Sequence, residues 1–281
     1  MHIRQETRPE FSRMHPTGII QRLLRGITFG SYLQAGVLEQ SLSRQTANRG
    51  YDIADFKPYA PGDDTRYLDW RALARLDQPV VRVFESTKDN SQWILIDASK
   101  SMDFGSPTKF SAACWAVMDI AAQCWKQGNR LNVQVMSDKQ KSPVLSRYPI
   151  NQITGLIGLI KALAAIRPTG TINIERFISI YAAREQSSTP ITIISDFLPH
   201  APALPTGCNR RLNWIRVLST AERNPSQLLR SELKDMETEK NFFPACDAAA
   251  VAAYQSALQN HERAIARLAF ATGGFAMDVR V

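Results

Sequence analysis

Apolar residues follow two periodicities along the chain, one typical of strands and one typical of helices. Short apolar or alternating runs predict strands at 79–86, 92–97, 131–137, 190–196, 212–219 and 275–279. Helical spacing predicts helices at Lys109–Lys126, Ile153–Ile166, 173–184 and Asp247–Ala271, the last of which ends at Gly273–Gly274. Strands that alternate with helices predict an α/β fold, namely a doubly wound, mostly parallel sheet with helices on both faces.

The first third of the chain has a different pattern. Two segments there are helical in part, "IIQRLLRGI" at 19–27 and "YLQAGVLEQSL" at 32–42. Residues 51–78 are rich in Asp, Pro and Arg, which predicts an ordered loop region. Because the regular alternation begins near residue 90, we expect a smaller N-terminal region at 1–87 and an α/β domain at 88–281.

Composition narrows the class of protein. Hydrophobic residues make up 44% of the 281 residues and charged residues 21%, as in ordinary globular proteins. No apolar run approaches the ~20 residues of a membrane span, and the N-terminus has no apolar core of the secretory kind. We therefore expect a cytoplasmic protein with no membrane span. The net charge of +8 comes from scattered basic residues, so we expect no nucleic-acid binding.

Cysteine and histidine residues offer no metal site of their own. The four cysteines form no CxxC pair and have no histidine at zinc spacing, so we expect buried free thiols; they are Cys114, Cys124, Cys208 and Cys246. The four histidines are scattered along the chain, and His200 is the one that follows a predicted strand end closely.

Oxygen-bearing side chains gather at the predicted carboxyl ends of two strands. "WILID" ends at Asp97 and "ITIISD" ends at Asp196, and ligands of open α/β sheets bind just beyond such strand ends. Ser99 and Ser101 follow Asp97, and the Pro/Gly loop "RPTGTINI" presents Thr171, with Thr169 as a substitute. Carboxylate and hydroxyl oxygens suit hard cations, so these residues predict a Mg²⁺ site, with Mn²⁺ also possible. The alternative is that Asp97 and Ser99 only make the local hydrogen bonds of a turn.

This ordered set of residues resembles a known motif. Asp97-x-Ser99-x-Ser101, Thr171 and Asp196 are similar to the metal-ion-dependent adhesion site of von Willebrand factor A domains. The resemblance implies that Mg²⁺ binds to the hydroxyls and one carboxylate directly, with another carboxylate often acting through water. It also implies an open position on the metal that a Glu or Asp of a partner protein fills.

A second dense segment is "YAPGDDTRYLDWRALAR", Tyr59 to Arg75. Its arginines and aspartates are close enough in sequence for paired contacts, and Trp70 is expected to be a buried anchor. The alternative is that the segment is a salt-bridged structural loop. The segment resembles the Y-x-P-G-D-D-x-R-x-[IL]-D-W motif of the domain-of-unknown-function 58 family. Two later segments are also similar to that family, namely "LKDMETEKNFFPACD" at 233–247 and the helical segment after it. This resemblance covers about residues 30–281.

Membership of that family would imply a partner. Its members are commonly paired with MoxR-type AAA+ ATPases and are thought to assemble or mature other proteins in a chaperone-like way. Many members carry two membrane helices before this region, and we expect none in this chain. The resemblance thus implies a non-enzymatic, Mg²⁺-dependent adaptor that binds the ATPase or a client protein through an acidic residue.

The rival hypothesis is a Mg²⁺-dependent hydrolase or phosphatase on an α/β sheet. A haloacid-dehalogenase-type phosphatase would need D-x-D at the first strand end, but Ser99 stands where the second acid should be. The chain has neither a G-x-x-x-x-G-K-[ST] loop nor a G-x-S-x-G elbow. The sequence therefore favours protein binding over catalysis.

Overall fold

The computed structural model describes most of the α/β part of the chain and portions of the rest. The described residues are 10–24, 51–61, 68–76, 79–86, 91–127, 129–137, 144–145, 153–184, 189–204, 208, 210–224, 233–234, 241–242 and 248–281. The strands are β1 Tyr51–Pro58, β2 Val80–Ser86, β3 Ser91–Asp97, β4 Arg130–Met136, β5 Val144–Leu145, β6 Ile191–Ser195, β7 Leu212–Leu218, β8 Leu233–Lys234, β9 Asn241–Phe242 and β10 Ala276–Arg280. The helices are α1 Pro16–Leu24, α2 Trp70–Leu76, α3 Lys109–Gln127, α4 Ile153–Ala165, α5 Ile174–Arg184, α6 Thr220–Arg223 and α7 Ala248–Ala271.

A six-stranded sheet forms the centre of the larger unit. Its strand order is β10-β7-β6-β3-β4-β5. The first five strands are parallel to one another, and the short β5 pairs antiparallel with β4 at the edge. Five of its strands and the four helices between them were predicted from periodicity, with ends that differ by one or two residues. The predicted α/β fold class is confirmed.

Helices cover both faces of this sheet because its strands are apolar on both sides. Ile94 and Ile96 of β3 join a core formed with α1, α3 and α4, whereas Leu95 between them joins a core formed with α5 and α7. Successive strand residues point to opposite faces, so an uninterrupted apolar run such as "WILI" requires cover on both. At the end of α7, Gly273 adopts a φ of +65° and its N–H bonds to the carbonyl of Phe270, as expected for a glycine that terminates a helix.

The chain divides into two compact units, one of Met1–Leu42 with Ser91–Val281 and the other of Ser43–Asn90. Residues 10–24 belong with the sheet, although they were predicted to be part of an N-terminal region at 1–87. The reason is the composition of α3, which is apolar nearly all round and needs cover on its outer side. Phe11 supplies part of this cover through an edge-on contact with Trp115 at 5.0 Å, and Ile19 is fully buried on α1.

The second unit contains the residues predicted to form an ordered loop region at 51–78. That prediction is wrong for 51–58, which form β1 and pair antiparallel with β2, and for 70–76, which form α2. Asp69 begins α2: its carboxylate Oδ1 accepts the backbone N–H of Ala72 at 3.1 Å, in the manner of a helix N-cap. This role at the start of a helix explains why an aspartate stands at this position of the Tyr59–Arg75 segment.

Trp70 is not the buried anchor expected from the sequence. It is the first residue of α2 and 65% of its surface is exposed. The expectation assumed that another element covers the indole, which an exposed fraction this large rules out. Of the residues expected to pair in this segment, Asp63, Asp64 and Arg66 lie outside the described residues.

Several smaller predictions have outcomes. Cys114 and Cys124 are buried free thiols as predicted, and Cys208 is a half-buried one, while Cys246 lies outside the described residues. The helix predicted at 32–42 also lies outside them, as does most of the 233–247 segment. No helix in the described parts of the chain is long and apolar enough to cross a membrane.

Candidate metal centre

The candidate site lies where the order of the strands reverses. From β3 the chain continues to β4 and β5 on one side of the sheet, and it then returns to β6, β7 and β10 on the other. The crevice beyond the carboxyl ends of strands at such a reversal is the usual ligand site of open α/β sheets. Asp97 is the last residue of β3 and Asp196 directly follows β6. Both carboxylates therefore lie at this reversal.

Asp97 is buried and fixed by two hydrogen bonds. Its Oδ1 accepts the backbone N–H of Ser99 at 2.7 Å, and its Oδ2 accepts the hydroxyl of Ser195 at 2.6 Å. Burial, followed by the negative charge of Asp196, raises the pKa of Asp97 from 3.8 to about 6. These hydrogen bonds lower the pKa but do not outweigh burial. An ionised Asp97 therefore carries a free-energy cost that a nearby cation would relieve.

The two serines of the motif place their hydroxyls together. Ser99 is buried and Ser101 is half-buried, and their Oγ atoms are 3.0 Å apart. Ser101 lies in a 3-10 turn, Lys100–Asp103, that follows directly from the strand end. The local hydrogen bond from Ser99 to Asp97 is the one expected of a turn, so the turn and the gathering of oxygens are both present.

Two backbone hydrogen bonds bring the Pro/Gly loop to this turn. The N–H of Lys100 donates to the carbonyl of Gly170 at 2.8 Å, and the N–H of Thr169 donates to the carbonyl of Ala98 at 2.9 Å. Gly170 has a φ of +69°, a conformation that favours glycine and allows the loop to bend there. Thr171 follows it with an exposed side chain, beside the serine turn.

Asp196 has a cationic partner that sequence reasoning missed. Its Oδ2 accepts from the Nζ of Lys109 at 2.8 Å, and its Oδ1 accepts the N–H of Leu198 at 3.1 Å. Lys109 is 1% exposed and also pairs with Oε1 of Glu222 at 2.6 Å. Burial lowers the pKa of Lys109, but the charges of Asp196 and Glu222 outweigh burial and hold that pKa above 10.5. The ammonium is therefore charged and shared between two carboxylates.

Glu222 is itself held in place. Its Oε2 accepts both the N–H and the hydroxyl of Ser219, at 2.8 and 2.9 Å, in a capping box that begins α6. The other carboxylate oxygen is thus aimed at Lys109. Because Ser219 directly follows β7, this ion pair connects the carboxyl ends of β6 and β7 through the start of α3.

The residue after Asp196 adopts a conformation that is unusual for a non-glycine residue. Phe197 has a φ of +56° and is 1% exposed, with its ring edge-on to Trp214 at 5.4 Å. Its carbonyl lies 2.9 Å from Nε2 of His261 on α7. Strained residues of this kind persist where the surroundings fix them, and they concentrate at functional sites. The loop that carries Asp196 is therefore held from α3 on one side and from α7 on the other.

A second ion-pair cluster lies on β7 and β10. Arg216, 2% exposed, donates from Nε and Nη2 to the two carboxylate oxygens of Asp278 at 2.9 and 2.8 Å. Arg223 donates to the same carboxylate at 2.7 Å. Nη1 of Arg216 lies 3.3 Å from Nδ1 of His261. With Arg216 donating to Nδ1, the proton of the imidazole belongs on Nε2, where it bonds to the Phe197 carbonyl.

The gathered oxygens are chemically suited to a hard cation. Carboxylates and hydroxyls are the groups that hold Mg²⁺ and Mn²⁺, and burial together with the charge of Asp196 makes an ionised Asp97 costly unless a cation lies nearby. The described residues contain no group of three or more His, Cys, Asp or Glu side chains placed to hold a metal. The predicted set has only two such side chains and takes its other oxygens from hydroxyls, so this finding does not test it.

The structure places the five predicted residues at one edge of the sheet: Asp97, Ser99, Ser101, Thr171 and Asp196. Their role as metal ligands stays a prediction. His200, which the sequence placed nearest to the site, is exposed, whereas His261 contacts the loop that carries Asp196. The burial of Lys109 could have been inferred from the sequence, because this lysine lies four residues before Ala113 and eight before Val117, on the buried stripe of α3.

Comparison with known proteins places the chain among relatives. It matches the family model described as "Protein of unknown function DUF58" over residues 55–269. The uncharacterized protein Rv1480 of Mycobacterium tuberculosis is 27% identical over 179 residues, which are 60% of this chain and 50% of that protein. The chain thus spans about half the length of the curated relatives it matches.

Solved structures also align with part of the chain. BatB, a conserved hypothetical protein from Bacteroides thetaiotaomicron, aligns with a TM-score of 0.39 and 11% identity over 68% of this chain and 90% of that one. A von Willebrand factor type A protein from Catenulispora acidiphila aligns with a TM-score of 0.33 and 13% identity over 54% of this chain and 38% of that one. The family match covers well over half of the chain and includes part of β1, all of β2 and the strand ends that carry Asp97 and Asp196, so the chain belongs to the DUF58 family.

Proposed function

We propose that this chain is a non-enzymatic, Mg²⁺-dependent adaptor that binds a partner protein at the carboxyl edge of its sheet. The observation that supports this most strongly is the gathering of Asp97, Asp196 and the paired hydroxyls of Ser99 and Ser101 at the strand reversal. All of these groups offer oxygen, and none is a nucleophile activated by a neighbouring base. The site is therefore suited to holding a cation and not to breaking a bond.

In this proposal the metal is held by the serine and threonine hydroxyls and by one or both carboxylates. Hydroxyl ligands are neutral and leave the cation electron-poor, so a carboxylate of the partner is the ligand it would bind. The chain's own part is to hold Asp97 rigidly through Ser99 and Ser195, and Asp196 through Leu198. The metal supplies the attraction for the partner's carboxylate.

The proposed partner is a MoxR-type AAA+ ATPase, or a client protein of the same machine with an exposed Glu or Asp. This part of the proposal rests on the family and on the chemistry of the edge. The chain's net charge of +8 would favour association with an acidic surface. Chaperone-like assembly or maturation of other proteins would be the outcome of that association.

The metal is tested by calorimetric titration of the purified protein with Mg²⁺ and with Mn²⁺. One binding site is expected, and Asp97→Ala should abolish binding while circular dichroism shows a retained fold. Asp103→Ala is a matched control, because it removes a carboxylate of the same turn that is 43% exposed and directed at Lys100. Equal binding by the wild type and Asp97→Ala would refute the site.

The partner is tested by capture of a purified MoxR-type ATPase on the immobilised chain. Capture should need Mg²⁺ and should fall with EDTA, Ser99→Ala or Thr171→Ala. Raised salt should weaken it less than EDTA does, because a metal–carboxylate bond is short-ranged and poorly screened. Capture that salt abolishes and EDTA does not would mean that surface charge, and not a metal, carries the interaction.

The enzyme alternative has its own test. With Mg²⁺ present, the purified chain should hydrolyse neither ATP nor simple phosphate esters. Turnover that is lost in Asp97→Ala would replace the adaptor proposal with a hydrolase.

A further inference from the structure

The candidate centre contains a cation of its own. The ammonium of Lys109 lies 2.8 Å from Asp196 and 2.6 Å from Glu222, and the side chain is 1% exposed. Among the described residues, this is the ion pair that reaches directly into the predicted ligand set. The motif predicts a place for one cation, and the structure adds a second that contacts one of the same carboxylates.

The position of Lys109 is costly without those carboxylates. It is the first residue of α3, where the positive end of the helix dipole disfavours a cation. It is also buried, and an ammonium out of water is costly unless it is paired and hydrogen-bonded. Local structure therefore gives no reason for a lysine here, whereas Asp196 and Glu222 do.

Glu222 is built to hold the ammonium on its own. Its Oε2 is occupied by Ser219, which leaves Oε1 fixed toward Lys109 at the shorter of the two ion-pair distances. If a metal draws Asp196 away, the ammonium keeps a charged partner. The lysine thus has two carboxylates, one inside the predicted ligand set and one outside it.

We propose that Lys109 is a built-in competitor of the metal for Asp196, and that Glu222 sets the strength of this competition by drawing the ammonium away. The proposal rests on the metal site of the proposed function. It makes both side chains positioning residues that tune affinity and do not contact the metal. Three carboxylates and one ammonium at this edge, Asp97, Asp196, Glu222 and Lys109, sum to −2, which a divalent ion would balance.

Removal of each residue should therefore change the affinity in opposite directions. Lys109→Met leaves the edge at −3 and frees Asp196, so Mg²⁺ should bind about tenfold more tightly or better. Glu222→Gln leaves the edge at −1 and confines the ammonium to Asp196, so Mg²⁺ should bind about fivefold more weakly. Damage to the fold would weaken binding in both variants, and a purely structural ion pair would give no tightening.

The experiment is calorimetric titration with Mg²⁺ of the wild type, Lys109→Met and Glu222→Gln, with Lys161→Met as control. Lys161 is exposed on α4, so the same substitution there should leave the affinity within about twofold. Melting temperatures with and without Mg²⁺ provide the second readout, and Lys109→Met should gain more from Mg²⁺ than the wild type does.

The outcomes are distinguishable. Wild-type binding with unchanged or weaker binding in Lys109→Met overturns the competition and leaves the metal site standing. Binding by no protein of the set overturns both. If Lys109→Met does not fold, the Mg²⁺ affinity of Glu222→Gln still tests the competition. That variant is expected to fold, because glutamine can keep the capping box with Ser219. Unchanged or tighter binding in Glu222→Gln would overturn the proposal.

Discussion

Replacement of Asp97 by asparagine should stabilise the metal-free protein. The carboxylate is 1% exposed, and its pKa rises from 3.8 to about 6 on folding. A difference of about two pKa units corresponds to about 3 kcal/mol of free energy of unfolding lost when Asp97 ionises. Asparagine is not ionised and escapes this cost. It keeps one carbonyl oxygen as acceptor, so we subtract about 1 kcal/mol for a weakened hydrogen bond with Ser99 or Ser195.

The sign of the pH dependence follows from the direction of the shift. The folded protein holds the Asp97 proton more tightly than the unfolded chain does, so this residue favours folding at acid pH. Its contribution is fully present below pH 3.8 and is lost as pH rises through about 6. The advantage of Asp97→Asn should therefore be about 2 kcal/mol at pH 7.5 and smaller at pH 5.

The assay is thermal unfolding in EDTA at several pH values between 5 and 8. A gain of about 2 kcal/mol should raise the melting temperature by about 4–8 °C for a chain of this size. Asp103→Asn is the matched control, because its carboxylate is exposed and should give no such gain. Saturating Mg²⁺ should reverse the order, since the wild type would gain binding energy that the variant lacks.

Two results would refute this reasoning. A loss of stability in Asp97→Asn at pH 7.5 in EDTA would mean that the hydrogen bonds of the carboxylate outweigh its burial. A gain of equal size at pH 5 and pH 7.5 would mean that ionisation of Asp97 is not the cause.

Three further predictions follow from the described contacts. The affinity for Mg²⁺ should be about tenfold weaker at pH 5 than at pH 7.5, because protons compete for Asp97; calorimetry at the two pH values checks this, and equal affinities would exclude Asp97 as a ligand. Arg216→Met should lower the free energy of unfolding by about 3 kcal/mol, measured by denaturant titration, because it breaks the two hydrogen bonds that the buried Arg216 makes with the partly exposed Asp278. In the second unit, Asp69→Ala should lower the free energy of unfolding by about 1 kcal/mol, because the N-cap of α2 is lost. Trp70→Ala should lower it by less than about 0.5 kcal/mol, because the side chain is largely exposed, and the reverse order in denaturant titrations would contradict the structure.

The sheet could be predicted from the sequence because the apolar pattern within each strand indicates that the strand is buried on both faces. "WILID" is apolar at every position but its last, and "ITIIS" is apolar except at Thr192 and Ser195, a pattern that a strand shows when both faces are covered. The aspartate at the end of such a run then has one place to lie, at the carboxyl edge of the sheet. The positions of Asp97 and Asp196 followed from that pattern without any knowledge of side-chain contacts.

The pairing of β1 with β2 and the packing of Phe11 on α3 could not be predicted in the same way. β1 contains Asp52, Asp55 and Pro58, and it is a strand because β2 pairs with it, which is a property of two segments together. Phe11 packs on Trp115 across about a hundred residues of chain. Contacts of this kind leave no periodic trace in either segment alone.

Lys109 shows where the two kinds of information meet. Its place on the apolar stripe of α3 is visible in the sequence, and a charged residue on such a stripe indicates a buried partner. Asp196 is 87 residues away, directly after β6, and Glu222 is 113 residues away, in α6. A motif built from local spacing describes ligands that a cation contacts, but it does not describe the charges that decide how tightly the cation is held. If Lys109 competes for Asp196, the affinity of the predicted centre is set by residues outside the motif, and we expect family members with the same five predicted ligands to differ in the Mg²⁺ concentration that they require.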